Sequence, residues 1–596
     1  MKLTFTKIIY TALCVLLTLN SKALIYTAAS SGNFSSTSTW VGGVVPPANL
    51  GANDIIIGGG ITITLDVNLV LSNSNSLVQL QSTASIQSTS SNYIVLSAGL
   101  LTGDITSTIS VDSVYIGNTN ITYSGTISGK KIAFAGPNLP GNITIHADDY
   151  LYFTSGLTNL PGGATITLGT GTPRPTIVID GGSFINSGAN FNLTTAYNVS
   201  YRQSAVTIGS GSELAGAGLA DIEIAVGNGN NVALDADLVV NGLLKLTSGS
   251  LALNNGTYKL LMSGNSSFDP GGTGSILGAA TSEVIITSSA TSLGTVRFAN
   301  TGSELKTLDM KATNSNAELK LGSALSITGT LNLQSGKINV QDKTLTIAGG
   351  LGTITGGSAN SYIITEANGQ LKQDIGSNAT VTYPIGYTSA YAPAVVTNNK
   401  NLLIAGMNMN VQQGVKEQGT SGNDMAATKA VVNATWTTSV SGNPTNLDYK
   451  LQLQWGAGME VNSFDRSRCF VAQYDNKWNN QAGAAAGANG SMHTSEKNTI
   501  TSGGTFAVLD ENTLSVGYIA TNNNIAIFPN PAKEVLNITV KEAATVTIYN
   551  TAGQAVLNTE LGKNNSAINI SRLPAGMYLI HLKGEGVNST ARFVKE

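Results

Sequence analysis

The chain is predicted to be all-β: a right-handed parallel β-helix or solenoid, then a β-sandwich, then a small β-sandwich at the C-terminus. Three observations predict this. Apolar residues fall at every second position in short runs such as Ile61-Thr62-Ile63-Thr64-Leu65, the period of a half-buried strand. The runs are separated by Gly, Asn or Ser turns, while the three-four spacing of helices is essentially missing. Composition excludes disorder, which needs low hydrophobicity and high net charge. Here 41% of residues are hydrophobic, 11% are charged, 67 are glycine, and the net charge is only -3. That balance also argues against a nucleic-acid partner, which requires a basic footprint.

Residues 1–23 read as a secretory signal peptide. Lys2 and Lys7 precede and open an apolar run from Ile8 to Leu19, and Ser21-Lys22-Ala23 places small residues at the cleavage site, with Ala23 last. The run is about twelve residues, short of the roughly twenty that cross a membrane as a helix. No second long apolar stretch follows, so the mature chain is expected to lack a transmembrane helix. Of two cysteines, Cys14 leaves with the peptide and Cys469 remains, which rules out a disulfide within one mature chain. Cys469 lies in a strand-like run, Arg468-Cys469-Phe470-Val471, and is expected to be a buried, inert thiol.

Residues 24–355 carry the solenoid pattern. Strand-like pieces recur as far as Leu345-Thr346-Ile347, and one repeat aligns directly. Leu238 to Gly249 matches Leu325 to Gly336 at an offset of 87 residues, with Leu251 falling on Ile338. Coils of about twenty-odd residues, stacked about 4.8 Å apart, would bury an apolar inner face that no coil can bury alone. The opening Thr39-Trp40-Val41-Gly42-Gly43-Val44-Val45-Pro46-Pro47, followed by Asn53-Asp54-Ile55-Ile56-Ile57, resembles the start of many secreted bacterial β-helices. Trp40 is expected to cap the first coil, and the prolines to blunt its edge. The same turn spacing would also suit a string of separate β-sandwiches.

Texture changes near Thr355, and residues 356–520 are expected to form a compact β-sandwich. Leu447, Tyr449, Leu451, Leu453 and Trp455 alternate with Asp448, Lys450, Gln452 and Gln454, giving a strand with one wet face. The stretch from Tyr383-Pro384-Ile385-Gly386 to Tyr391-Ala392-Pro393 looks like a segment that commonly precedes sorting domains in bacterial surface proteins. Thr521-Asn522-Asn523-Asn524 reads as a linker.

Residues 521–596 hold the most specific motifs. Phe528-Pro529-Asn530-Pro531, Ile548-Tyr549-Asn550-Thr551-Ala552-Gly553-Gln554, Leu573-Pro574-Ala575-Gly576-Met577-Tyr578 and Arg592-Phe593-Val594-Lys595 occur in that order. The segment resembles the type A C-terminal sorting domain of the type IX secretion system of the Bacteroidetes. By period alone, Leu536-Ile538-Val540, Val546-Ile548 and Tyr578-Ile580-Leu582 are half-buried strands, and His581 faces away from the core. About seven strands in an immunoglobulin-like sandwich are expected. The resemblance implies that Pro529, Asn530, Pro531, Gly553, Leu573, Pro574, Gly576, Tyr578 and Lys595 belong to the signal read by the secretion machinery. It further implies export through the periplasm and an extracellular or surface location, the body being released or attached to lipopolysaccharide. Asp112-Ser113-Val114 resembles the O-glycosylation acceptor of the same bacteria, which makes Ser113 a candidate acceptor.

Chemistry is sparse. Ile145-His146-Ala147-Asp148-Asp149-Tyr150 offers adjacent acids that resemble the pair of pectinase-type hydrolases, but the Gly-His-Gly and Arg-Ile-Lys motifs of those enzymes are missing. Neighbouring residues on a strand also point to opposite faces unless they sit at a turn. His146, His493 and His581 lack ligand spacing, so neither a metal nor a cofactor is expected. The leading expectation is a non-enzymatic adhesin or structural surface rod, with a host or matrix surface as its partner. The alternatives are a carbohydrate-binding protein, with Tyr115, Tyr123, Tyr150, Tyr152 and Phe153 as stacking candidates, or a polysaccharide-degrading β-helix enzyme. Exposed carboxylates about 5–10 Å apart on neighbouring coils would favour the enzyme.

Overall fold

Three parallel sheets climb the body of the molecule, and each strand pairs with one a coil further along the sequence. The computed structural model describes residues 23–117, 121–202, 207–349, 352–366, 368–442, 446–511, 513, 526–539, 543–563, 566–584 and 587–596. The expected signal peptide therefore lies, except for Ala23, outside the described residues. The first face begins with Ile25–Thr27, Asp54–Ile57, Leu77–Leu80 and Leu100–Gly103. The second begins with Thr62–Leu65, Ser85–Ser88 and Thr108–Ser110. The third begins with Leu69–Leu71, Tyr93–Leu96 and Ser113–Ile116. The longer strands Thr126–Phe134 and Thr144–Phe153 bend across a corner, so that each serves both the second and third faces.

The body is a β-solenoid of about 14 turns, which at ~4.8 Å per turn spans roughly 65 Å. Coils of twenty-odd residues are visible directly: the Ser85 hydroxyl donates 2.7 Å to that of Thr62, one coil and 23 residues earlier. Inside, the alternation read from the sequence becomes stacks of like residues. Ile63, Ile86, Ile109, Ile127, Ile145 and Ile166 occupy one register position on successive coils of the second face. All six are buried. β-branched side chains suit this pleated, laterally packed environment, and burying each is worth about 1.5–3 kcal/mol. Trp40 is where the cap was expected: its indole is buried, packs edge-on to Phe34 at 5.4 Å, and donates to the Phe34 carbonyl at 2.8 Å.

The 87-residue repeat is one face out of step with the coils. Rungs carry Leu238 to Leu260, Val284, Leu308 and Leu331, not to Leu325. All faces share an alternating apolar pattern, so an alignment can slide by one face and still match.

Parallel pairing continues past the expected boundary near Thr355. Ile363–Ile364 pairs in parallel with Ile385–Tyr387, and Gln370–Ile375 receives the antiparallel strand Ile404–Gln413 on its other edge. Two antiparallel sheets follow. One contains Thr380–Tyr383, Ala394–Asn398, Tyr449–Trp455 and Met492–Ile500, and the other Val431–Val440, Gly504–Asp510 and Cys469–Asp475. Because the last coil supplies a free sheet edge, the sandwich grows from it, and one apolar core runs from Trp40 to Phe506. Leu447, Tyr449, Leu451, Leu453 and Trp455 are buried, as their alternation predicts. Gln454, expected on the wet face, is buried too, because Asn489 on the next-but-one strand covers it and donates 3.1 Å to its Oε1.

The C-terminal unit has its own core. Ala526–Phe528, Val535–Thr539 and Ser566–Asn569 form one sheet. Ala544–Tyr549, Ala555–Leu561, Gly576–Gly584 and Val587–Lys595 form the other. The seven strands among the described residues and the inward set Leu536, Ile538, Val546, Ile548, Tyr578, Ile580 and Leu582 match the sequence reading, and Val540 lies outside the described residues.

Candidate functional site

The corner between the second and third faces holds the expected acids. His146 Nδ1 lies 2.7 Å from the Thr167 hydroxyl, and its Nε2 lies 3.1 Å from Asp148. Asp148 and Asp149 sit where Thr144–Phe153 leaves its pairing with Thr165–Leu168 and takes up Thr176–Asp180. The turn that would let both acids share a side of the strand is therefore present. Both ring nitrogens of His146 are thus occupied by short polar contacts at this corner.

Further along the third face, charges form a ladder. Glu223 accepts from Ser200 at 2.9 Å and from Thr247 at 3.3 Å, and pairs with Lys245 at 3.0 Å and Arg202 at 3.5 Å. Burial raises its affinity for protons, but Lys245, Ser200 and Arg202 outweigh that and hold its carboxyl below the usual range. Asp180 stands beside Arg202 in register, and burial pushes its carboxyl up. The two acids are thus two rungs apart, about 10 Å along the axis. Their environments pull them in opposite directions, the pattern an acid and base pair shows. Glu223, however, has both oxygens engaged by four partners, leaving little capacity to activate a water.

The aromatic candidates divide by parity. Tyr123 and Phe153 are core residues, sharing the inward register of Ile121 and Leu151. Tyr115, Tyr150 and Tyr152 lie half-buried on the outside of the third face. Two residues that the sequence reading passed over join them there. Tyr93 stands beside Ser113, and Lys131 stands between Ser113 and Tyr150. Their signal was available: each directly adjoins an inward apolar residue, Ile94 for Tyr93 and Ile132 for Lys131. Ser113 is half-buried, and its hydroxyl donates 3.0 Å to Asp112, which also pairs with Lys130 at 3.3 Å.

Cys469 is buried, its thiol pushed up to about 11 by desolvation and within 3.6 Å of the Ala484 carbonyl. Among the described residues no group of three or more His, Cys, Asp and Glu converges on a metal-sized site. A cleft of about 300 Å³ lies at the junction of solenoid and sandwich, lined by Gln373, Asp374, Thr382 and Pro384 among others.

In the C-terminal sandwich the motif residues close turns and join the ends. Asn530 accepts from the Val594 amide at 2.8 Å and donates to the Arg592 carbonyl at 3.2 Å. Ala532, next to Pro531, is tied to the last strand on both sides, donating to Val594 and accepting from Glu596. Gly553 has a positive φ of 79° in a turn whose Asn550 side chain accepts from the Ala552 and Gln554 amides. That left-handed conformation favours glycine. Tyr578 stacks on Phe593 and donates 2.8 Å to the Pro574 carbonyl, pinning the turn that also contains buried Leu573 and exposed Gly576. Lys595 is nearly buried at the closing strand.

Residues 526–596 match the family described as the secretion system C-terminal sorting domain. The segment is a type IX sorting tail. The chain carrying it is a secreted or cell-surface protein that engages the type IX secretion machinery. No curated protein and no solved structure matches the chain. Among the described residues no helix is long and apolar enough to cross a membrane.

Proposed function

We propose that the chain is a non-enzymatic adhesin or structural rod displayed outside the cell. It crosses the periplasm behind its signal peptide and is then released or attached at the outer membrane by way of lipopolysaccharide. The observation that carries the reading is the pairing of a solenoid of about 14 turns with a sorting tail. Such a body offers a long, regular outer surface, and its polar side chains bond mostly to the next coil. The hydroxyls of Thr62 and Ser85, of Ser82 and Thr106, and of Ser250 and Ser275 are examples. The saturated Glu223 and the doubly held His146 support display over catalysis.

Two measurements test this. Deleting residues 524–596 is expected to abolish surface delivery, read by protease accessibility on intact cells. Incubating the purified full chain with soluble and insoluble polysaccharides is expected to release no reducing sugar. Released oligosaccharides would overturn the non-enzymatic reading, and normal delivery of the truncation would overturn the role of the tail.

A further inference from the structure

We propose that the type IX machinery docks on the apolar end of the outer face of the four-stranded sheet in the sorting tail, at Tyr549, Met577, Leu579 and Val594. The inference rests on the assignment of residues 526–596 as a sorting tail, which supplies the partner and leaves the face open. Alternation divides these strands cleanly. Ile548, Tyr578, Ile580 and Phe593 point into the core and are buried. Their neighbours point outward: Met577 is 52% exposed, Leu579 41% and Val594 39%, with Tyr549 half-buried beside them. Register makes one patch of the four. Met577 stands opposite Val594 on the last strand, and Leu579 stands opposite Tyr549 on the other side. The row through Leu579 continues to Arg592 at one edge and, past Tyr549, to Ala555 at the other.

Apolar and polar residues are segregated on this face. A sheet packed on one side ordinarily presents polar residues on the other, and the far end of the face does so with Thr545, Thr547, His581 and Thr590. None of the four apolar side chains belongs to the inward core, so packing of the tail does not account for them. A contiguous exposed apolar patch with a polar rim is the usual mark of a docking surface. On the opposite sheet Phe528 and Val535 are exposed too, but Phe528 faces Asn537 and Val535 faces Asn569, so amides interrupt the apolar surface. Charge adds to the description of the partner. Arg592, exposed at the end of the Leu579 row, makes no ion pair among the described residues. The matching surface on the machinery is therefore apolar with a carboxylate at its rim. A membrane surface is the poorer fit, because it calls for a cluster of basic residues where this patch has one arginine.

Delivery of full-chain variants in the native host tests the docking face, read by protease accessibility on intact cells and by periplasmic fractionation. Met577→Asp and Leu579→Asp should each lower the surface-delivered fraction about fivefold or more, whereas Leu579→Met, which keeps the apolar surface, should be delivered normally. Thr547→Asp at the polar end of the same face and Val535→Asp on the opposite sheet should also be delivered normally. Photocrosslinking gives a second readout that introduces no charge. Benzoylphenylalanine in place of Leu579 is expected to join a component of the type IX machinery, identified by mass spectrometry, and in place of Thr547 it is not. Normal delivery of both patch variants overturns the docking face. Crosslinking from position 579 only to lipid or to a second copy of the chain overturns the choice of partner. The deletion of residues 524–596 reads the tail as a whole. Loss of delivery there, with normal delivery of the patch variants, therefore refutes the face and leaves the sorting role standing.

Discussion

Glu213 shows how a single buried carboxyl can set a pH response inside the solenoid. It is 2% exposed inside the solenoid, accepts from the Gly211 amide at 2.9 Å and receives the Tyr201 hydroxyl. Burial outweighs these bonds, and the negative charge of Asp235 adds to it, so the carboxyl is pushed above its ordinary 4.5. Tyr197 donates to the Glu213 carbonyl at 2.7 Å and no cation compensates the side chain among its described contacts. The folded chain therefore holds this proton to higher pH than the unfolded chain does. Its contribution to stability is greatest below 4.5 and is lost as pH rises through the folded value. Glu213→Gln keeps an acceptor without the charge. The urea midpoint of this variant is expected to fall less than that of the wild type as pH rises above the ordinary 4.5 of this carboxyl. Equal slopes would show that Glu213 titrates normally.

At the level of the element, two kinds of strand behave differently. Solenoid strands are held by stacks, so removing one member opens a cavity that the coils above and below cannot close. Ile127→Ala, in the middle of the isoleucine stack, is expected to cost about 2–5 kcal/mol. The sorting tail relies on side chains that bridge strands. Asn530 stitches the entry segment to the last strand through two backbone partners. Asn530→Ala should therefore destabilise the tail by about 0.5–1.5 kcal/mol and lower the surface-delivered fraction. Fractionation of cells expressing this variant reads the effect, and unchanged delivery would show that the machinery tolerates a loosened entry segment. Tyr578 ties a turn through its hydroxyl and Gly553 closes another through its left-handed backbone, so motifs recognised as an address are also the turns and ties of a fold.

For the whole molecule, each coil touches mainly its neighbours, so stability should be distributed along the axis as in other repeat structures. Ile127→Ala is accordingly expected to raise amide exchange in the coils from about Ser85 to Phe153, leaving residues 526–596 unchanged. Uniform acceleration over the chain would mean that the body opens as one unit. The sandwich at 380–510 should behave as part of the solenoid, because Gln370–Ile375 joins both through one sheet and the core is continuous. A free domain boundary near Thr355 would instead give separate exchange behaviour there.

Much of this protein was legible in its residues, for a physical reason. Period-two alternation depends only on which side of a strand faces the core, so the all-β class, the inward sets of the sorting tail and the buried Leu447–Trp455 row could be read directly. The tail was readable because its turns demand particular residues at Gly553, Pro574 and Tyr578. Parity even held the answer for Tyr123 and Phe153, whose neighbours place them inside. Pairing partners were not legible. Alternation is the same on every face, so only the tertiary structure decided that Leu238 leads to Leu331, that the sandwich grows from the last coil, and that Gln454 is covered. The same holds for the outer surface. Tyr93, Tyr115, Lys131, Tyr150 and Tyr152 are spread over some sixty positions of sequence, and coil length, a property of no single strand, brings them onto one face.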